Sequence, residues 1–261
     1  VTPRVHFVGA GPGDPELLTL KAARLLARAD LVIHPGSLTP KAVTDMAAPG
    51  ARILDSASMT LEETHAAIRD TVLAGGFVVR LQAGDPALYG TVAEQARLLE
   101  AEGIDYAVVP GVTAASAASA ALRIPATAPE VTQTLVLTRL AGRTPVPEAE
   151  NLRALAAHKS ALAVYLSAHM PEAVREELLA AGHDPATTVA VAHRVGWPEQ
   201  ELHLSTVRDF PELVRARGLT SQTLFLVLPG HQAGTRSKLY DPAFAHGARP
   251  AREDSGRNTP C

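Results

Sequence analysis

Three glycine- and proline-rich turns carry the residues with the clearest chemical potential. They read Gly9-Ala10-Gly11-Pro12-Gly13-Asp14-Pro15, Ala83-Gly84-Asp85-Pro86-Ala87-Leu88-Tyr89-Gly90 and Pro110-Gly111-Val112-Thr113-Ala114-Ala115. Each follows an apolar, β-branched run: Val5 to Val8, Phe77 to Leu81 and Tyr106 to Val109. Open α/β sheets bind ligands outside the carboxyl ends of their strands, and a residue without Cβ lets backbone approach a ligand closely. An acid such as Asp85 in a Gly/Pro frame suits hydroxyls or an amine. Together the turns point to one small-molecule site on a sheet edge.

The first turn invites a dinucleotide reading, which the spacing rejects. The third glycine of G-x-G-x-x-G falls at Asp14. Asp14 and Pro15 instead fit an N-cap followed by an N1 proline. The ribose-binding acid should end the second strand, yet Asp30 begins it and His34-Pro35 ends it. His34 reads as a structural strand-end histidine rather than a base.

The elements that position these turns alternate. Strands are expected at Val5–Val8, Leu31–His34, Arg52–Leu54, Phe77–Gln82 and Tyr106–Val109. Helices are expected at Pro15–Ala29, near Lys41–Ala47, after Thr60, after Thr91 and over Thr113–Leu122. Thr60 with Glu63, and Thr91 with Glu94, have capping-box spacing, and Thr113 suits an N-cap. This alternation predicts a mostly parallel sheet with helices on both faces. Further strands are expected at Thr134–Thr138, Leu162–Ser167, Thr187–Ala192, Glu201–Thr206 and Thr223–Leu228, with the 187–192 and 201–206 pair forming an antiparallel hairpin. The fold class is therefore α/β with two α/β domains, residues 1–114 on a mostly parallel sheet and 115–247 on a mixed one. Ala141–Glu150 reads as an exposed loop, and 248–261 as a disordered polar tail.

Composition removes several function classes. The chain has 261 residues, net charge -3 and 4% aromatics, a poor match to nucleic-acid binding. No run nears the roughly 18 apolar residues of a membrane span, and no secretory signal is expected. The only cysteine is Cys261, so no intrachain disulfide forms and a cytoplasmic setting is the simplest. Ten scattered histidines, without CxxC or HExxH, give no metal site.

The segments GAGPGDPELLT, AGDPALYG and PGVTAASAASA, in this order and spacing, resemble the tetrapyrrole methylases. The resemblance covers residues 4–247. It implies an S-adenosylmethionine-dependent enzyme, expected as a homodimer, with a cofactor cleft between two α/β domains. It also implies cofactor contacts from Pro12, Gly84, Asp85, Leu88, Thr113 and Ala114, with Leu166 and Ala192 around the adenine. Uroporphyrinogen III methylases carry Tyr-Asp-Arg-Leu after the second strand, where this chain has His34-Pro35-Gly36-Ser37-Leu38. The Gly-Ser-Leu form and the segment Arg236–Gly247 resemble the branch that methylates C-11 of a corrin precursor, with or without cobalt. His34 departs from that branch, which usually has Tyr there.

Such a transfer joins an electrophilic sulfonium methyl to an enamine-like carbon, so it needs positioning and dryness more than a strong acid or base. No catalytic residue is assigned on sequence. A macrocycle with many carboxylates calls for Arg, His and backbone donors; the candidates are Arg80, Arg123, Arg139, His193 and Arg194. The competing readings are another methylase of this fold, a non-catalytic tetrapyrrole carrier and, more remotely, a nicotinamide oxidoreductase.

Overall fold

The computed structural model describes residues 3–241, 243–245, 247, 249 and 250. The tail expected to be disordered, 248–261, lies outside the described residues apart from Arg249 and Pro250, as do Pro242 and His246 of the carboxy-terminal segment.

Five short apolar runs form the first sheet: β1 (Val5–Gly9), β2 (Leu31–His34), β3 (Arg52–Asp55), β4 (Val78–Gln82) and β5 (Tyr106–Val109). The order is β3-β2-β4-β1-β5 and every pairing is parallel. β1 and β4 are buried along their whole length, as expected for strands covered on both faces. The order also makes β4, β1 and β5 neighbours, so the three turns leave adjacent strands on the same edge.

The helices of this half are α1 (Leu20–Leu26), α2 (Lys41–Thr44), α3 (Leu61–Leu73) and α4 (Val92–Ala101). The expected single helix over 15–29 is instead a 3-10 turn at Pro15–Leu17 followed by α1. Thr19 causes the break: its hydroxyl accepts from Ala22 N at 3.1 Å and caps a new helix. Asp14 caps the first turn, accepting from Glu16 N at 2.8 Å, with Pro15 at N1. The Thr60–Glu63 capping box is complete. The one expected at Thr91 and Glu94 does not form, because Thr91 Oγ1 accepts from Gln95 Nε2 at 3.1 Å instead.

The second sheet contains β6 (Leu135–Arg139), β7 (Ala161–Tyr165), β8 (Thr188–His193), β9 (Glu201–Thr206) and β10 (Thr223–Val227), in the order β6-β7-β10-β8-β9. β6 and β7 are parallel; the other pairings, including the β8–β9 hairpin, are antiparallel. α5 (Ala114–Leu122) lays Ala115, Ala117 and Ala118 against Ala163, Ala190, Ala192, Leu224 and Leu226 on one face of this sheet. Small side chains on both sides allow that close approach. α6 (Leu152–Ala156), α7 (Pro171–Ala180) and α8 (Phe210–Arg217) cover the other face around Phe210 and Phe225. The Ala141–Glu150 loop ends in a 3-10 turn at Glu148–Glu150 and is largely exposed.

Candidate functional site

The three turns touch one another. Gly11 N donates to Gly84 O at 3.2 Å, and Gly84 N donates to Gly11 O at 2.8 Å. A Cβ on Gly111 would lie 2.1 Å from Gly84 O and 2.8 Å from Gly9 Cα, so backbone packs on backbone there. Asp85 ties the second turn to the third: Oδ2 accepts from Gly111 N at 2.9 Å and Oδ1 from Ala87 N at 2.7 Å. Gly111 is thus required by its neighbouring turns. Gly84, at φ +66, is required by its left-handed backbone, since a Cβ there would meet nothing closer than Thr113 Cα at 3.7 Å.

The second half meets this cluster at two places. Tyr165, at the end of β7, shares a 2.5 Å hydrogen bond with Thr113 Oγ1, and its hydroxyl accepts from Ala115 N at 3.0 Å. This replaces the side-chain cap expected from Thr113. Trp197 Nε1 donates to Pro12 O at 3.1 Å. Its ring fills the space beside Gly13, where a Cβ would sit 2.3 Å away. Arg194 stacks on Trp197 with Cζ 5.6 Å from the ring centroid, and its Nε donates to Gln222 Oε1 at 2.7 Å. Gln222 Nε2 in turn donates to Ser37 O.

Between these contacts lies a cleft of about 570 Å³, within the usual 300–1,000 Å³ of small-molecule sites. All eight residues expected to contact a cofactor line it: Pro12, Gly84, Asp85, Leu88, Thr113, Ala114, Leu166 and Ala192. Of the five expected on the substrate side, Arg80 and Arg194 line it. Arg123 sits outside the lining as the left-handed, exposed C-cap of α5. Arg139, also outside it, donates to the carbonyls of Thr144 at 3.1 Å and Pro145 at 2.6 Å. His193 turns Nδ1 to Ser221 O and Thr223 Oγ1, at 3.1 and 2.9 Å. Burial, then the neighbouring Arg194 charge, lowers its pKa. His34 does not line the cleft.

Backbone strain concentrates here. Tyr89, Leu166, Arg194 and Gln222 all line the cleft with φ between 44 and 58, a region costly for residues with side chains and typical of ligand clamps. Leu166 and Tyr89 also remain exposed, at 61% and 47%. An apolar surface kept open by strained backbone is what a planar ring can cover. Glycine turns with approachable backbone, the Thr113 hydroxyl and the open Leu166 fit a thioether nucleoside with an amino-acid arm. Among the described residues no group of three or more His, Cys, Asp or Glu is placed to hold a metal.

Five further residues of the cleft lining, Tyr165, Trp197, Gln222, Gln82 and Tyr89, received no role from the sequence; Tyr89 stands within the second turn and Gln82 directly precedes it. Trp197 is the single tryptophan of the chain, and its rarity was the available signal. Tyr165 and Gln222 act through contacts that only the packing of the two halves reveals.

Comparison with known proteins agrees with this geometry. The family model "Tetrapyrrole (Corrin/Porphyrin) Methylases" matches residues 4–211. The cobalt-precorrin-4 C(11)-methyltransferase of Priestia megaterium is 42% identical over 94% of this chain and 97% of its own. A solved cobalt-precorrin-4 methyltransferase superposes with a TM-score of 0.84 at 41% identity, covering 87% of this chain and 97% of the other. The uroporphyrin-III C-methyltransferase of Thermus thermophilus, solved with S-adenosylhomocysteine, gives 0.68 at 29% identity over 86% and 96%. By sequence, fold and the turns that build its cleft, the chain belongs to the tetrapyrrole methylases.

Proposed function

We propose that the chain is an S-adenosylmethionine-dependent methyltransferase acting at C-11 of precorrin-4, metal-free or as its cobalt complex, in cobalamin synthesis. The observation that carries the cofactor is the convergence of all eight expected residues on one cleft; the position on the ring is supported by the likeness to C(11)-methyltransferases at 42% and 41% identity. Thr113 and Ala114 offer hydroxyl and backbone groups to the amino-acid portion. Pro12 and Gly84, whose own backbone groups bond Trp197 and Gly11, allow close approach beside it, and Leu166 and Ala192 flank the base. Asp85 holds the second and third turns in register through its two backbone bonds. When bound, the cofactor supplies a methyl group already activated by its sulfonium. The chain's work is therefore alignment and the exclusion of water, supplied by the apolar walls Leu38, Leu88, Tyr89, Leu166 and Val195. Arg80 and Arg194 supply positive charge for an acidic macrocycle.

Within the same reading, the chain divides near residue 114. This is supported by the buried face of α5, Ala115, Ala117 and Ala118, packing into the core of the second sheet. No helix among the described residues is long and apolar enough to cross a membrane. The resemblance to the family implies a homodimer, which sedimentation velocity tests. The test of the cofactor is calorimetry with S-adenosylhomocysteine and with NAD. Binding of the first and not the second is expected; tight NAD binding without S-adenosylhomocysteine binding overturns the assignment.

A further inference from the structure

Two polar side chains in the cleft wall have donors that no described residue satisfies. Arg80 and Gln82 lie two residues apart on β4, hence on one face of the sheet. They are 7% and 6% exposed, and both line the cleft. Arg80 Nε donates to Gln95 Oε1 at 3.1 Å. Gln95 is fixed as an acceptor because its Nε2 donates to Thr91 O at 2.8 Å. Arg80 Nη1 reaches only the carbonyls of Leu81 and Ile33, at 3.4 and 3.5 Å. No described carboxylate pairs with Arg80. Asp85, the one acid of the lining, has both oxygens committed to backbone amides. Gln82 Nε2 is buried without a partner among the described residues.

A buried cation without a counter-charge is costly, and so is a buried amide without a bond. Burial already pulls the Arg80 guanidinium down to about 10, which still leaves it charged at neutral pH. The missing group is an acceptor with negative charge and two oxygens, to which a guanidinium and an amide can both donate. We propose that Arg80 and Gln82 form a buried receptor for one carboxylate side chain of the tetrapyrrole, and so fix which edge of the macrocycle enters the cleft. The proposal rests on the methylase reading above and names the part of the site that reads substrate acid groups. The cofactor's own carboxylate is the alternative source, and the test separates the two.

Gln82→Glu places a carboxylate of the same shape beside Arg80, satisfying it internally and repelling the ligand. Gln82→Leu removes the donor without adding charge. Both are compared with the wild type for the KM and kcat of precorrin-4 methylation and for the Kd of S-adenosylhomocysteine by calorimetry. Bonds to charged groups of this kind correspond to about tenfold to a hundredfold in affinity. KM for precorrin-4 should rise by at least about tenfold in Gln82→Glu and by less in Gln82→Leu, with the S-adenosylhomocysteine Kd unchanged. Unchanged KM in both variants overturns the proposal. So does a matching loss of S-adenosylhomocysteine affinity, which would give the receptor to the cofactor. A wild type that fails to bind S-adenosylhomocysteine removes the functional reading and the proposal together, whereas normal turnover with insensitive variants removes the receptor alone.

Discussion

Gly84 and Gly111 belong to touching turns, but the structure gives them different reasons to be glycine, and substitution should tell these apart. At Gly111 the obstacle is steric. An added Cβ would stand 2.1 Å from Gly84 O, 2.8 Å from Gly9 Cα and 3.1 Å from Gly9 C. These are backbone atoms at the end of β1 and in the turn that follows β4, so relief requires opening the turn cluster by roughly 1.4 Å or more, given contact distances of about 3.5–4.0 Å. Overpacking of this kind costs about 1–3 kcal/mol, and the rigid neighbours place Gly111→Ala near the upper end. At roughly 2–4 °C per kcal/mol for a chain of this size, Tm should fall by about 6–12 °C. At Gly84 the obstacle is conformational. Its φ is +66 and the nearest atom to an added Cβ is 3.7 Å away. Gly84→Ala should cost about 1–2 kcal/mol, while Gly84→Asn, which tolerates left-handed backbone, should cost less. The order therefore inverts: Asn is milder than Ala at position 84 and harsher at 111. Gly84→Asn should still lose S-adenosylhomocysteine affinity, because its side chain enters the cleft. Thermal melting and calorimetry on the same samples check this. An Ala at 111 with wild-type Tm, or the same order of Ala and Asn at both positions, would refute the reasoning.

Tyr165→Phe removes the acceptor of Ala115 N and the partner of Thr113 Oγ1. It should lower urea-derived stability by about 1–3 kcal/mol and weaken S-adenosylhomocysteine binding; no change in either measurement counts against the link between the halves. Thr60→Ala breaks a complete capping box and should cost about 1 kcal/mol by denaturant titration. At Thr91, whose hydroxyl caps no backbone amide, Ala should lose less. His183 is buried, and burial, then the charge of Lys159, lowers its pKa. The unfolded chain therefore takes up a proton that the fold resists. The stability His183 contributes is present above the ordinary imidazole pKa and is lost as pH falls through that value toward the lowered one. The urea midpoint should drop between pH 7.5 and 5.5, and His183→Gln should show a shallower drop.

The first half of the fold was legible because parallel strands buried on both faces announce themselves as apolar runs. Their Gly/Pro turns mark where the strands end, and six of the eight cofactor residues lie in those turns; their roles, and Leu166 and Ala192 altogether, came from the family resemblance. The helix over 15–29 was misread because Thr19 competes locally for a cap, a choice that periodicity does not reveal. Thr91 and Thr113 have cap spacing, yet each hydroxyl finds a side-chain partner instead: Gln95 along the helix and Tyr165 across the cleft. The substrate arginines were the least legible. In the sequence Arg80, Arg123 and Arg139 are alike, cations suited to an acidic macrocycle. Only the packing shows that Arg139 is consumed by its own loop's carbonyls, that Arg123 lies outside the cleft lining, and that Arg80 lies buried in the cleft wall. The contacts of Trp197 and Gln222 reach across 185 residues, a separation at which local patterns carry no information.

The central claim is methyl transfer to C-11. The most direct measurement is incubation of the chain with S-adenosylmethionine carrying a ¹³C-labelled methyl group, together with precorrin-4 and, in parallel, its cobalt complex. The product is then examined by NMR. The account predicts one new labelled methyl group, bonded to C-11, in at least one of the two incubations. Label at another ring carbon, or none from either substrate while S-adenosylhomocysteine still binds, would contradict it.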